Sequence, residues 1–190
     1  WGYIIEGHIT YVLTVGSDEP IKTFAYSQGK WTQYAGFGLD YLPTWGSARL
    51  ANGRVIVGSR TTGKIYLLSP DSTYDGTDQM VCEFSGIQEI YGSPLRCDSV
   101  ILDCTVGIGV SGDPANNTDI PTISMAVSND RGKTWQPWRT TMLGVQGAFS
   151  QTIAWCNAIQ TGGLMRRPGR LFKWRVAPPS RFTIRKARLN

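Results

Sequence analysis

"TISMAVSNDRGKTW", residues 122 to 135, puts a strand and a turn into fourteen residues. Ile123, Met125 and Val127 recur at every second position, the period that turns one face of a β-strand onto a core. The last eight residues read as a hairpin clamp. Asp130 can bond its own backbone, Gly132 can accept a positive φ, Trp135 can fold over the turn, and Ser128 stands where the turn begins.

Working outward, the two-residue period continues on both sides and no long helical period appears. Upstream, "VILDCTVGIGV" sets Val100, Leu102, Cys104, Val106, Ile108 and Val110 on one face. Downstream lie "TWQPWRTTML", "FSQTIAWC", "RLFKWRV" and "RFTIRKARL". In the third of these Phe172, Trp174 and Val176 face one way, while Leu171, Lys173 and Arg175 face the other. In the fourth, Phe182 and Ile184 keep the apolar phase but Ala187 and Leu189 fall out of it, which predicts a bulge near Arg185 and Lys186. About six strands so spaced predict a β-sandwich or jelly roll over residues 96–190.

Residues 1–70 carry two short meanders. "HITYVLTV" alternates Ile9, Tyr11, Leu13 and Val15 with His8, Thr10, Val12 and Thr14, the pattern of a half-buried strand. "IKTFAYS", a turn at Gly29 and "KWTQY" follow, and "NGRVIVGS", "TTG" and "KIYLLS" repeat the arrangement. Such units look like propeller blades, though a full propeller needs more strands than this chain supplies. Residues 71–95 are turn-rich and predict a linker. The expected fold is therefore all-β, with partial β-propeller-like meanders followed by a β-sandwich or jelly-roll-like domain.

Composition narrows the chemistry. The 190 residues include 41% hydrophobic and 17% charged residues, 22 glycines and 7 tryptophans, which suits a globular chain rich in turns. No apolar run approaches the length of a membrane span. The first residue is Trp1 and strand-like sequence starts at once, so the chain reads as lacking the amino end of a longer polypeptide. Cys82, Cys97, Cys104 and Cys156 form no CxxC pair and His8 is the only histidine, so zinc-ligand spacing is absent. The thiols read as free and mostly buried. A serine triad would need His8, yet no GxSxG elbow is present. "GIGVSG" lacks the lysine and helix of a phosphate loop and reads as a strand end. No metal or cofactor is expected.

Charge is segregated along the chain. Residues 131–190 hold 12 of the 19 basic residues and no acid, whereas all 14 acids precede them. Arg166, Arg167, Arg170, Lys173, Arg175, Arg185, Lys186 and Arg188, interleaved with Trp174 and Phe182, are the expected contacts to an anionic partner. For any one of them a solvated outer face of a strand is the simpler reading.

Ser128, Asp130, Gly132 and Trp135 match SxDxGxxW, the Asp-box of sialidases and other propeller proteins. In sialidases the Asp-box lies away from the catalytic face, so the likeness implies a structural hairpin. A glycosidase of that kind also needs an arginine clamp, a tyrosine–glutamate pair and an acid on a complete propeller, which this chain is too short to supply.

Taken in order, "LDCTVGIGVSGDP", "TISMAVSNDRGKTW", "LGVQGAFSQTIAW" and "RRPGRLFKWRVAPPSRFTIRKARL" resemble the carboxyl-terminal region of the packaged DNA stabilisation (tail nozzle) proteins of short-tailed bacteriophages. The shared elements are the strand ending in GxG, the Asp-box, the LGxxG turn and the "GR.F...V..P" strand. The likeness is good over residues 95–190 and loose before them. It implies a non-enzymatic virion protein of the tail, assembled in the host cytoplasm as a ring, usually a hexamer, below the portal and adaptor proteins. Such a ring extends the channel, holds packaged genomic DNA and conducts it on ejection. Family members are considerably longer, and many read DGGxTW where this chain reads DRGKTW, with Arg131 in place of a glycine. The other expectation is a carbohydrate-binding or sialidase-like propeller protein, a receptor-binding tail component.

Overall fold

The computed structural model describes residues 1–16, 20–89, 91, 95–96, 99–107, 121–144, 152–156, 164–165, 169–178 and 182–189. The chain is all-β: the described residues form antiparallel sheets and no helix. They divide into two compact units, Trp1–Asp78 and Gln79–Asn190.

The first unit holds two meanders. Strands β1 (Gly2–Ile5), β2 (His8–Val15), β3 (Lys22–Ser27) and β4 (Lys30–Tyr34) pair in sequence order. Strands β5 (Thr44–Arg49), β6 (Val55–Ser59) and β7 (Ile65–Leu68) form the second sheet. The turns at Glu6-Gly7 and Gln28-Gly29 place both central residues at positive φ, 51° and 81° in one and 50° and 78° in the other. That geometry matches the right-handed twist of the flanking strands and keeps the hairpins tight.

The burial of β2 is the reverse of what its alternation suggests. Thr10 and Val12 are buried, whereas Ile9, Tyr11, Leu13 and Val15 are open. The buried side stays satisfied because the hydroxyls find partners: Thr14 and Thr23 Oγ1 lie 3.1 Å apart, and the Leu42 amide donates to Thr23 Oγ1 at 3.1 Å. Small side chains such as Ala25 complete that face.

There are two short pairs, β8 (Tyr74–Asp75) with β9 (Asp78–Gln79) and β11 (Leu95–Arg96) with β16 (Leu164–Met165). The second unit is built on the remaining strands. Strands β10 (Cys82–Glu89), β17 (Gly169–Val176), β13 (Thr122–Ser128) and β14 (Arg139–Met142) make one sheet in that order. Strands β15 (Thr152–Cys156), β12 (Ser99–Cys104) and β18 (Ile184–Leu189) make the other. One apolar core draws on both: Val100, Leu102 and Cys104 from β12, Ile123, Met125 and Val127 from β13, and Phe172, Trp174 and Val176 from β17. These are the faces that the two-residue period picked out; Ile108 and Val110, assigned to the same row, lie outside the described residues.

Strand β18 carries the bulge. Asp103 pairs with Lys186 and Cys104 with Ile184, so Arg185 is the extra residue. It resets the phase, and Ile184 and Leu189 both pack against the core.

Strand β10 corrects the expected linker of residues 71–95. It runs for eight residues beside β17, with Phe84 stacked on Trp174 at 5.2 Å between ring centroids. Its strand signal is faint in "CEFSGIQE" because Gly86 and polar residues dilute the alternation, and the long partner β17 supplies the order instead.

Candidate functional site

The conspicuous side-chain cluster of the second unit is the hairpin between β13 and β14. Asp130 organises it. Its Oδ1 accepts from the Ser128 hydroxyl at 2.7 Å and from the Thr134 amide at 2.9 Å, and its Oδ2 accepts from the Thr134 hydroxyl at 2.5 Å. The Ser128 hydroxyl oxygen in turn accepts from the Gly132 amide at 2.8 Å. The Gln136 amide closes the loop onto the Val127 carbonyl at 2.9 Å. Gly132 sits at φ +86°, and a β-carbon there would lie 3.6 Å from the Trp135 ring, so the indole does fold over the turn.

The Ser128 hydroxyl, the Asp130 carboxylate and the Thr134 hydroxyl are all engaged within the loop. Hydrogen bonds from the Thr134 side chain and amide, with that from Ser128, hold the Asp130 carboxyl near 2 instead of the usual 3.8. An acid held that low stays ionised, so it cannot serve as a general acid near neutral pH. Because the folded value is depressed, the clamp's contribution is complete above the ordinary carboxylate range and is lost as pH falls through the folded one. Melting temperatures of the wild type and Asp130→Asn should therefore differ at neutral pH and converge as pH is lowered from about 4 to about 2. Parallel curves over that range would remove Asp130 from the clamp.

Arg131 sits at φ +61°, a region that costs an L-residue about 1–2 kcal/mol. Arg131→Gly should relieve that strain, partly offset by the greater freedom of glycine in the unfolded chain, for a net stabilisation of about 0.5 kcal/mol. A urea midpoint that falls would contradict it.

Those of the expected anionic-contact residues that are described are divided between β17 and β18, which belong to different sheets. Lys173 and Arg175 project from the outer face of β17 onto Glu83 of β10: Lys173 Nζ is 3.0 Å from Oε2, and Arg175 Nε donates to Oε1 at 2.6 Å. The same cations lie over indoles, Lys173 over Trp135 at 5.4 Å and Arg175 over Trp138 at 4.6 Å. Partial burial pushes the Glu83 carboxyl up, but the hydrogen bonds from Lys173 and Arg175 outweigh it and hold it below its ordinary value. Arg185 reaches Asp103 at 3.4 Å.

Arg170 is a correction. It is buried, with Nε donating to Asn129 Oδ1 at 2.7 Å, and is not available to a partner. Its signal was present in the sequence, since residue 170 shares the inward phase of Phe172 and Trp174. Lys186 and Arg188 are exposed on β18. Arg166 and Arg167 lie outside the described residues.

His8 is exposed where β2 starts and shares a 2.7 Å hydrogen bond with Gln28, a hairpin role. Among the described residues no group of three or more His, Cys, Asp or Glu side chains could hold a metal ion, and no helix is long and apolar enough to cross a membrane. No protein-family model matches the chain, and no curated protein matches it significantly.

Proposed function

We propose that the chain is a structural subunit of a bacteriophage tail, part of a ring-shaped nozzle below the portal and adaptor that retains packaged DNA and conducts it on ejection. The observation that carries this reading is where the reactive side chains go. Asp130 bonds its own loop, Lys173 and Arg175 bond Glu83, and Arg170 is buried, so the motif residues hold strands together. The order of motifs around the hairpin supports the same reading, as does the broad apolar face left open on the first unit.

Partly offset cations suit a channel. Each phosphate contact with a free lysine or arginine releases counterions and adds affinity, so a bore lined with such groups would hold DNA back during ejection. Pairing Lys173 and Arg175 with Glu83 lowers that attraction. By the resemblance the ring is a hexamer bound to other tail and adaptor proteins.

A carbohydrate-active protein would behave differently. Purified protein should leave fluorogenic sialosides intact, give no retention on immobilised glycans, and sediment as a closed oligomer. Glycan binding by a monomer would overturn the proposal.

A further inference from the structure

We propose that the first unit joins copies of this chain head to tail, the open face of its β1–β4 sheet packing on the open face of the β5–β7 sheet of the next copy. This rests on the reading of the chain as a subunit of a homo-oligomeric ring, and it names the surface.

In an antiparallel sheet, residues directly opposite one another share a face. Tyr11 pairs with Gly2 and Tyr26, Ile9 with Ile4, Leu13 with Phe24, and Tyr26 with Trp31. One side of the β1–β4 sheet is therefore mostly aliphatic and aromatic, with Gln33 opposite Phe24 and Lys22 opposite Val15 as its polar members. Ile4, Ile9, Tyr11, Leu13, Val15 and Trp31 are each between 42% and 61% exposed. The cation at its margin, Lys22, is held by Asp40 at 2.6 Å.

The second sheet repeats the pattern. Val55 and Val57 are buried on one side, while Ile56, Leu67, Ile65 and Trp45 occupy the other, with Trp45 and Ile65 each 70% exposed. Each sheet thus has one buried face and one open apolar face.

Size separates this from ordinary surface hydrophobicity. The six side chains of the first face leave on the order of 700 Å² open, more than the roughly 300–600 Å² of the largest patch on a typical monomer. It also approaches the about 800 Å² that each partner brings to a standard interface. Two sheets pack face to face through such layers; Lys22 on the first face is paired with Asp40, and Arg60 on the second lies over the Trp45 ring, 5.6 Å from its centroid.

A second copy is the occupant because it supplies the matching layer. Joining unlike faces, the contact is heterologous, and a heterologous contact that closes generates a ring. An isologous contact between two β1–β4 faces would stop at a dimer.

Complementation distinguishes these. Leu13→Lys blocks the first face and Leu67→Lys the second, both at exposed positions where the fold should survive, checked by near-ultraviolet circular dichroism. By light scattering the wild-type chain should form concentration-dependent oligomers. Each variant alone should be monomeric, and an equimolar mixture should give a dimer, since each retains one intact face. Tyr11→Glu provides a second blocked first face if Leu13→Lys misfolds. A wild-type chain monomeric at every concentration, or two variants that still oligomerise as well as wild type, would overturn the inference. A ring that still forms from Leu13→Lys protein would sink this surface while leaving the ring reading intact.

Discussion

Gly169→Ala should destabilise the second unit by about 3 kcal/mol or more, read as a large fall in the urea midpoint, because two independent costs meet there. Gly169 opens β17 opposite Glu89 at φ +123°, a conformation that L-residues rarely adopt. A β-carbon at 169 would also overlap the Gln88 carbonyl of β10, which is backbone and cannot swing aside. Gly86 in the same ladder is the control. A β-carbon there meets only the Trp174 ring at 3.9 Å, an ordinary contact, so Gly86→Ala should cost far less. Equal losses at the two positions would mean that the close approach of β10 and β17 is not what requires Gly169.

The second large effect is expected at Trp174. Its ring is 4% exposed and lies between Phe84 and Phe172, with centroids at 5.2 Å and 6.0 Å. Trp174→Ala should cost about 3–5 kcal/mol, the lost transfer energy plus the cavity left behind. Among the described residues its indole N–H has no hydrogen-bond partner. Trp174→Phe keeps most of the stacking and removes that orphan donor, so its cost should stay below about 1.5 kcal/mol. Paired urea titrations give both values. A phenylalanine variant as unstable as the alanine variant would place the importance of Trp174 in its N–H and not in its rings.

The second unit was the more legible part of the sequence because its apolar rows are the ones that meet in the core. Phe172, Trp174 and Val176 follow a strict period of two, and even the bulge at Arg185 shows as a change of phase before Ala187. The first unit misleads by the same logic. Its apolar row, Ile9 to Val15, is the open one, because a neighbouring layer decides which face is buried and a strand's own pattern cannot name that neighbour.

Charge was the least legible feature. Along the chain the last 60 residues contain no acid, which suggested a basic surface awaiting an anionic partner. In space the ladders bring acids from earlier strands beside those bases: β10 carries Glu83 to Lys173 and Arg175, and β12 carries Asp103 to Arg185. Antiparallel pairing of distant segments thus gives Lys173, Arg175 and Arg185 acidic partners that sequence order does not show. The hairpin clamp, by contrast, is local. Ser128, Asp130, Gly132 and Trp135 lie within eight residues, and their roles could be assigned from turn chemistry alone.

Negative-stain electron microscopy of the purified protein tests the central claim most directly, because symmetry and shape report structural function without assuming a ligand. The account predicts closed rings with a central channel. A field of monomers, or of compact particles without a channel at concentrations where the chain is saturated, would contradict it.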